Sequence, residues 1–367
     1  MFKVGDRMKS SSYLIKPASS LCNMNCLYCF YSDVSKQREN YSKGIMSKDT
    51  VEILIDKALN EAKDITFAFQ GGEPTVAGLE YFQYFVDYVH KNKKGHIIHY
   101  AIQTNGLILD EEWLDFFKEN HFLVGISLDG NEYIHNQVRV KGKEPTFHKV
   151  FQHIQQMKKK KIDYNILTVI TRQMIPYAKE IYEFYKQQNF QYIQFIPCLP
   201  ELDNSTDQYY LRPQDFYQFY HQIFPLWYED LKQGKYVSIS LFEDLLMIFQ
   251  GHFPRTCGML GQCQLQFIVE GDGTVYPCDF YALDQYSLGN IKNDSLLKLK
   301  QSVNAQKFLQ QEKRYSKLCQ TCQFKNICHG QCKRMNIVYF DDDYCGYQAF
   351  LKETYQIFYN IGQGKLK

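Results

Sequence analysis

Eight of the twelve cysteines in this 367-residue chain fall between Cys257 and Cys345, in a turn-rich stretch with little periodic apolar pattern. A stretch of that kind cannot easily bury a core of its own. Thiols at short fixed spacings can organise it by binding metal, because metal–ligand bonds then supply folding free energy. The late set reads Cys257-x5-Cys263-x14-Cys278, then Cys319-x2-Cys322-x5-Cys328-x3-Cys332-x12-Cys345. Three more cysteines sit near the start as Cys22-x3-Cys26-x2-Cys29, and Cys198 stands alone, most simply as a small buried apolar residue.

Redox compartment decides between metal and disulfide. The opening MFKVGDRMKSSSYLIKP has no apolar core of the secretory type. No stretch reaches the ~18 uninterrupted apolar residues of a membrane span. A cytoplasmic chain with no membrane partner is expected, and there clustered cysteines point to metal. Net charge is +2, so no footprint for a nucleic acid is expected. The single basic run, Lys158–Lys161, reads as a solvated helix end that suits the C-terminal dipole.

From Tyr13 to Pro197 short apolar runs alternate with amphipathic stretches. Strands are expected at Tyr13–Lys16, Ile65–Gln70, His96–Gln103, Phe122–Ser127, Tyr164–Ile170 and Tyr192–Ile196, all rich in Ile, Phe, Tyr and Val. Helices are expected between them. Ser47 caps one whose apolar face is Val51, Leu54, Ile55, Ala58 and Leu59. Others run near Leu79–Lys91, Asp110–Asn120, Thr146–Lys160 and Pro176–Gln188, with Pro176 in a first turn. Six such repeats imply an α/β fold, a partial (β/α)6 barrel resembling an incomplete TIM barrel, with its site at the C-terminal strand ends. The segments CNMNCLYC, GGEP, TNG and SLDG follow the first four strands and are candidates for one pocket. Asp203–Gln208 reads as a polar loop, Gly271-Asp272-Gly273 as a hairpin turn, and Tyr347–Ile361 as a closing helix. The domain expectation is a core over 10–235, a cysteine-rich module over 236–346 and a C-terminal helix over 347–367.

Three thiolates can hold three irons of a four-iron cubane and leave the fourth open. The spacing alone also fits a zinc site with a distant fourth ligand. The segment ASSLCNMNCLYCFY, with Tyr28 before the third cysteine, resembles the signature of the radical S-adenosylmethionine superfamily. The resemblance implies that the open iron chelates S-adenosylmethionine and that cleavage of its sulfonium yields a 5′-deoxyadenosyl radical. Gln70-Gly71-Gly72-Glu73-Pro74 resembles the family's GGEP motif, which places Gly72 near the methionine amino group. By the same resemblance Ser127 and Arg139 contact the methionine carboxylate or ribose, and Leu199 lines the adenine side. Taken singly, each of these reads as an ordinary turn, cap, surface or core residue.

The eight late cysteines fit two zinc ribbons by spacing alone. Their pattern resembles the SPASM extension, where eight cysteines hold two auxiliary [4Fe-4S] clusters. That resemblance assigns Cys257, Cys263, Cys278 and Cys332 to one cluster and Cys319, Cys322, Cys328 and Cys345 to the other, which makes three [4Fe-4S] clusters in all. Full ligation by protein suits electron transfer rather than substrate binding.

Over roughly 12–350, segments such as YLIKPASS, FAFQGGEPTVAGLEYF, IQTNGLILDEEW and QFIVEGDGTVYPCDFYALDQYSLGNI resemble anaerobic sulfatase-maturating enzymes. Those oxidise a Cys or Ser of a sulfatase polypeptide to Cα-formylglycine. The resemblance makes Asp279, next to Cys278, the base that takes the substrate proton. A reduced flavodoxin or ferredoxin is the expected electron donor. Two departures stand out. Ser240-Leu241-Phe242-Glu243 replaces an Arg-Tyr-Phe-Asp run, and Cys328-His329-Gly330-Gln331-Cys332 replaces CxGGC. A maturase of another ribosomally made peptide, and a non-catalytic iron–sulfur or zinc protein, are the rival readings.

Overall fold

Strand–helix repeats occur where the periodicity placed them. The computed structural model describes residues 8–203 and 208–365, so the first seven residues and all but the ends of the Asp203–Gln208 loop lie outside the described residues. The fold is α/β with mostly parallel strands, in two compact units. One holds the chain up to Ser127, Arg139–Tyr164 and Leu265–Gln310. The other holds Leu128–Val138, Asn165–Gln264 and the chain from Gln311 onward.

In the first unit the parallel strands are β1 (Met8–Ile15), β2 (Ala62–Phe69), β3 (Ile97–Thr104) and β4 (Leu123–Ser127). A small hairpin, β5 (Val140–Lys141) with β6 (Glu144–Pro145), lies outside this sheet. Helices cover the strands through the expected faces. Ser47 caps Lys48–Glu61 by accepting from the Thr50 amide, and the buried positions include all five residues of the expected apolar face: Val51, Leu54, Ile55, Ala58 and Leu59. The core between is strongly aromatic. Phe67 meets Phe85 edge-on at 5.1 Å, Phe69 meets Phe82 at 4.9 Å, and Tyr100 stacks on Phe122 at 5.0 Å. Each buried ring contributes about 1.5–3 kcal/mol by leaving water.

The second unit holds β7 from Asn165 to its end (Tyr164–Ile170), β8 (Tyr192–Pro197) and the short β9 (Ser238–Ile239), again parallel. The helix expected to begin at Pro176 begins at Ala178. Pro176 instead lies inside a 3-10 turn, Arg172–Tyr177, whose tighter winding tolerates a residue without an amide hydrogen. The helices Pro213–Lys232, Ser240–Phe249 and Gly346–Gly362 share a core of Phe224, Trp227, Phe242, Phe350 and Phe358. The motif departure at Ser240–Glu243 is thus the first turn of a helix, with Phe242 fully buried.

Periodicity did not show that part of the late, turn-rich segment joins the first sheet. β10 (Ile268–Val269) pairs in parallel with β1, Leu14 opposite Ile268 and Ile15 opposite Val269. β11 (Thr274–Tyr276) turns back antiparallel on β10, and β12 (Gly289–Asn290) follows on β11. The hairpin turn is the expected one. Gly271 has no room for a side chain, since a Cβ there would stand 2.1 Å from the Gly44 carbonyl oxygen.

Candidate active site and cysteine centres

The loop after β1 carries Cys22, Cys26 and Cys29, and Cys29 starts the helix Phe30–Lys36. The ends of β2 and β3 close on it. Gly72 donates to the Ser19 carbonyl at 2.9 Å, and a Cβ on Gly72 would lie 2.3 Å from the Leu21 carbonyl oxygen. The glycine is therefore required by the cysteine loop itself. Glu73, which sequence reasoning passed over, is 1% exposed and accepts four hydrogen bonds. They come from the Thr75 amide (3.1 Å) and hydroxyl (2.7 Å), the Thr104 hydroxyl (2.8 Å) and the Asn105 amide (2.7 Å). Burial pushes its carboxyl above the ordinary range despite those donors. Asn105 in turn donates to Asn23 at 2.8 Å and reaches the Cys22 sulfur at 3.8 Å. So CNMNCLYC, GGEP and TNG do share one site.

Arg139 and Tyr28 join them. The Arg139 guanidinium lies 3.9 Å from the Cys26 sulfur and 5.5 Å from the Tyr28 ring centre. Ser127 ends β4, is buried, and accepts from Gln103 at 3.2 Å. Leu199 lies in the second unit just past β8, half-buried beside Cys198, which is buried as expected. Cys22 keeps some surface in solvent, yet the protein packed round its sulfur pushes the thiol up to about 11, against the Met24 amide that donates to it. A cationic centre would offset that desolvation, so these donors fit an iron–sulfur core.

Asp279 stands in the first unit, beside Cys278 in sequence and 8% exposed. Tyr31, two residues beyond Cys29, donates its hydroxyl to Oδ2 at 2.5 Å. The Lys16 ammonium stands 2.9 Å from Oδ1 and 3.5 Å from Glu270, and Arg38 reaches Glu270 at 2.9 Å. Two cations and two anions, all buried, make a neutral set. Burial raises the Tyr31 pKa well above the phenol range, with the Asp279 charge adding, so Tyr31 stays a donor. Sequence reasoning found Asp279 but missed Lys16, Arg38 and Glu270. The available signal was charge inside or at the end of apolar strand runs, in YLIKP and QFIVE.

In the second unit Cys319, Cys322, Cys328 and Cys345 line one hollow, with Phe324, Phe340 and Tyr347 among its walls. Among the described residues no three His, Cys, Asp or Glu side chains close on a point suited to a lone ion; these four ring a hollow instead. Burial pushes the Cys328 thiol up to about 12 and Cys345 to about 11, and the neighbouring cysteines of the set push the same way. Cys332 has other neighbours. It and Cys263 are the charges that raise Cys257 beyond the effect of burial, and a Cβ on Gly258 would lie 3.0 Å from that of Cys332. Between them His329, Gly330 and Gln331 all adopt the left-handed conformation, at φ 50°, 76° and 57°. That turn sends Cys328 and Cys332 to different neighbours. Where relatives often have glycine, Gln331 holds this backbone at a cost of roughly 1 kcal/mol.

Comparison with known proteins accords with this geometry. The Radical SAM superfamily profile matches residues 17–185, and an iron-sulfur cluster-binding domain, SPASM, matches 257–323. A cysteine-type anaerobic sulfatase-maturating enzyme of Clostridium novyi (strain NT) is 42% identical over 89% of this chain and 89% of its own. One from Clostridium perfringens (strain 13 / Type A) is 40% identical over 96% of this chain and 99% of its own. A solved structure of native anSMEcpe with bound AdoMet and Cp18Cys peptide superposes with a TM-score of 0.88 at 37% identity, over 97% of this chain and 99% of that one. Identity at this level along nearly the whole length, with both family models matched, makes this chain a member of the anaerobic sulfatase-maturating enzymes, radical S-adenosylmethionine proteins with a SPASM domain.

Proposed function

We propose that this chain oxidises a cysteine of a sulfatase polypeptide to Cα-formylglycine. The observation that carries the reading is the buried Asp279 carboxylate, with Oδ2 taken by Tyr31 and Oδ1 left without an aligned donor. A cysteine rather than a serine target is favoured because both relatives above are cysteine-type enzymes and the superposed structure holds a Cys peptide.

In this reading Cys22, Cys26 and Cys29 hold the first cluster, and Tyr28, Gly72, Ser127, Arg139 and Leu199 contact S-adenosylmethionine. Cys257, Cys263, Cys278 and Cys332 hold one auxiliary cluster, and Cys319, Cys322, Cys328 and Cys345 the other. The proximity of Cys257 to Cys263 and Cys332, and the hollow ringed by the last four, support that division. Residues 10–235 carry the radical chemistry, 236–346 the auxiliary clusters, and 347–367 the C-terminal segment, whose helix is Gly346–Gly362. When bound, the cofactors supply a 5′-deoxyadenosyl radical and an acceptor for one electron.

The chain's own residues handle the proton. Loss of a hydrogen atom from the substrate Cβ, of the thiol proton and of one electron is a two-electron oxidation to a thioaldehyde. Water then replaces sulfur as sulfide. Asp279 Oδ1 accepts the thiol proton, and Tyr31 holds the carboxylate in place through Oδ2. Lys16 and Arg38 balance the charge of Glu270 and Asp279. The cytoplasm is the proposed compartment, with a reduced flavodoxin or ferredoxin as donor; no described helix is long and apolar enough to cross a membrane.

The test is anaerobic incubation with S-adenosylmethionine, a reductant and a peptide carrying Cys-x-Pro-x-Arg. Loss of the thiol mass and gain of an aldehyde that traps hydrazine is expected. 5′-Deoxyadenosine without aldehyde would transfer the chain to maturation of a different peptide. Zinc in place of iron would end the radical reading altogether.

A further inference from the structure

Gln348 approaches two of the four cysteine sulfurs in the second unit's hollow. Cys345 is the N-cap of the 17-residue helix Gly346–Gly362, and its sulfur accepts from the Gln348 backbone amide at 3.3 Å. A capping glutamine at the third helical position ordinarily folds back to the amide of the cap residue. Here the side-chain Nε2 goes instead to the Cys322 sulfur, at 3.2 Å. A ligated thiolate only accepts, so the amide nitrogen is the end that must face it.

The first helical turn that carries Gln348 has no slack. A Cβ on Gly346 would stand 1.9 Å from the Pro213 carbonyl oxygen, the Gly346 amide donates to Tyr339 at 2.9 Å, and Tyr347 is 1% exposed. One residue is thus fixed with two donors aimed at two sulfurs of one set. We infer that Gln348 tunes the reduction potential of the cluster held by Cys319, Cys322, Cys328 and Cys345, raising it so that this centre accepts an electron more readily. Hydrogen bonds to ligand sulfur draw off negative charge and favour the reduced, more negative core. The helix N-terminus at Cys345 acts in the same sense. This rests on the proposed ligand set, which has its own test: Cys322→Ala should lose about four irons per chain.

The experiment uses the full chain with Cys22, Cys26 and Cys29 all changed to Ala, so that only auxiliary clusters contribute signal. Iron and sulfide are counted, and midpoint potentials are read by redox titration with electron paramagnetic resonance. Gln348→Leu removes the side-chain donor and keeps the backbone one. With iron unchanged, one of the two midpoints should move to lower potential while the other stays, and Gln348→Glu should move the same one further. Full iron with both midpoints unmoved, or both moved alike, would overturn the inference. So would loss of one cluster in Gln348→Leu, because the amide would then hold the site together rather than tune it. Retention of all iron by Cys322→Ala would instead reject the ligand set beneath it.

Discussion

The Lys16 ammonium stands 2.9 Å from Asp279 Oδ1 without the alignment of a hydrogen bond, and both side chains are buried. The contact balances charge and leaves the oxygen's lone pair open. Asp279→Asn keeps the shape and the Tyr31 contact but removes the acceptor. It should form 5′-deoxyadenosine near the normal rate while aldehyde falls about 100-fold or more, read as the ratio of the two products by mass spectrometry. Lys16→Met leaves Glu270 and Asp279 with Arg38 alone. It should lower stability by about 3–5 kcal/mol, seen in denaturant unfolding, and also uncouple cofactor cleavage from aldehyde.

Glu270 carries the pH dependence of the same set. Burial alone would raise its carboxyl, but Lys16 and Arg38 hold it below the ordinary value of 4.5. A carboxyl depressed in the folded state contributes stability that is present above 4.5 and is lost as pH falls through the folded value. Glu270→Gln should therefore be less stable than the parent at pH 7. The gap between their thermal midpoints should hold to about pH 4.5 and narrow below it. A gap that widens on acidification would contradict the ion pairs.

The left-handed turn His329-Gly330-Gln331 predicts an unequal pair of double variants. In the proposed division Cys328 and Cys345 serve one centre, so Cys328→Ala with Cys345→Ala should lose about four irons, no more than either change alone. Cys332→Ala with Cys345→Ala strikes two centres and should lose about eight. Equal losses in the two doubles would show that the division of cysteines is wrong.

Gly72 predicts a backbone failure confined to the first centre. A Cβ there meets the Leu21 and Ser20 carbonyl oxygens at 2.3 and 2.7 Å, and neither can rotate away as a side chain would. Gly72→Ala should cost about 1–3 kcal/mol and displace the Cys22 loop. Iron chelation should then strip the first cluster several-fold faster while the auxiliary centres keep theirs.

Much of this architecture could be read before any coordinates. The six strands and the capped helices were legible because their apolar residues recur at the periods of strand and helix, and Ser47 and Asp110 mark helix starts with side chains that accept from amides. The cysteine groups were legible as groups because their spacings are short, and the structure brings Cys319, Cys322, Cys328 and Cys345 round one hollow. The path of β10 was not, since two residues of strand carry no period. Glu73, Lys16, Arg38 and Glu270 were hidden for another reason. A buried charge is identified by its partner, and these partners lie far apart in the chain: Lys16 with Glu270, Glu73 with Asn105. Gln348 looks like a routine capping residue until the sulfur beside its amide is located.

The pairing of β10 with β1 brings Lys16 and Asp279 together through strand register. Lys16 donates its amide to the Val269 carbonyl at 2.8 Å, so Lys16 is anchored by main-chain hydrogen bonds to the strand that leads, through one hairpin, to Asp279. Such a ladder moves only by whole residues, and a slip of one would turn every side chain on it to the opposite face. The pairing of the two strands is therefore set in whole-residue steps. A substitution that leaves this register intact leaves Lys16 and Asp279 on the chain segments that bring them together.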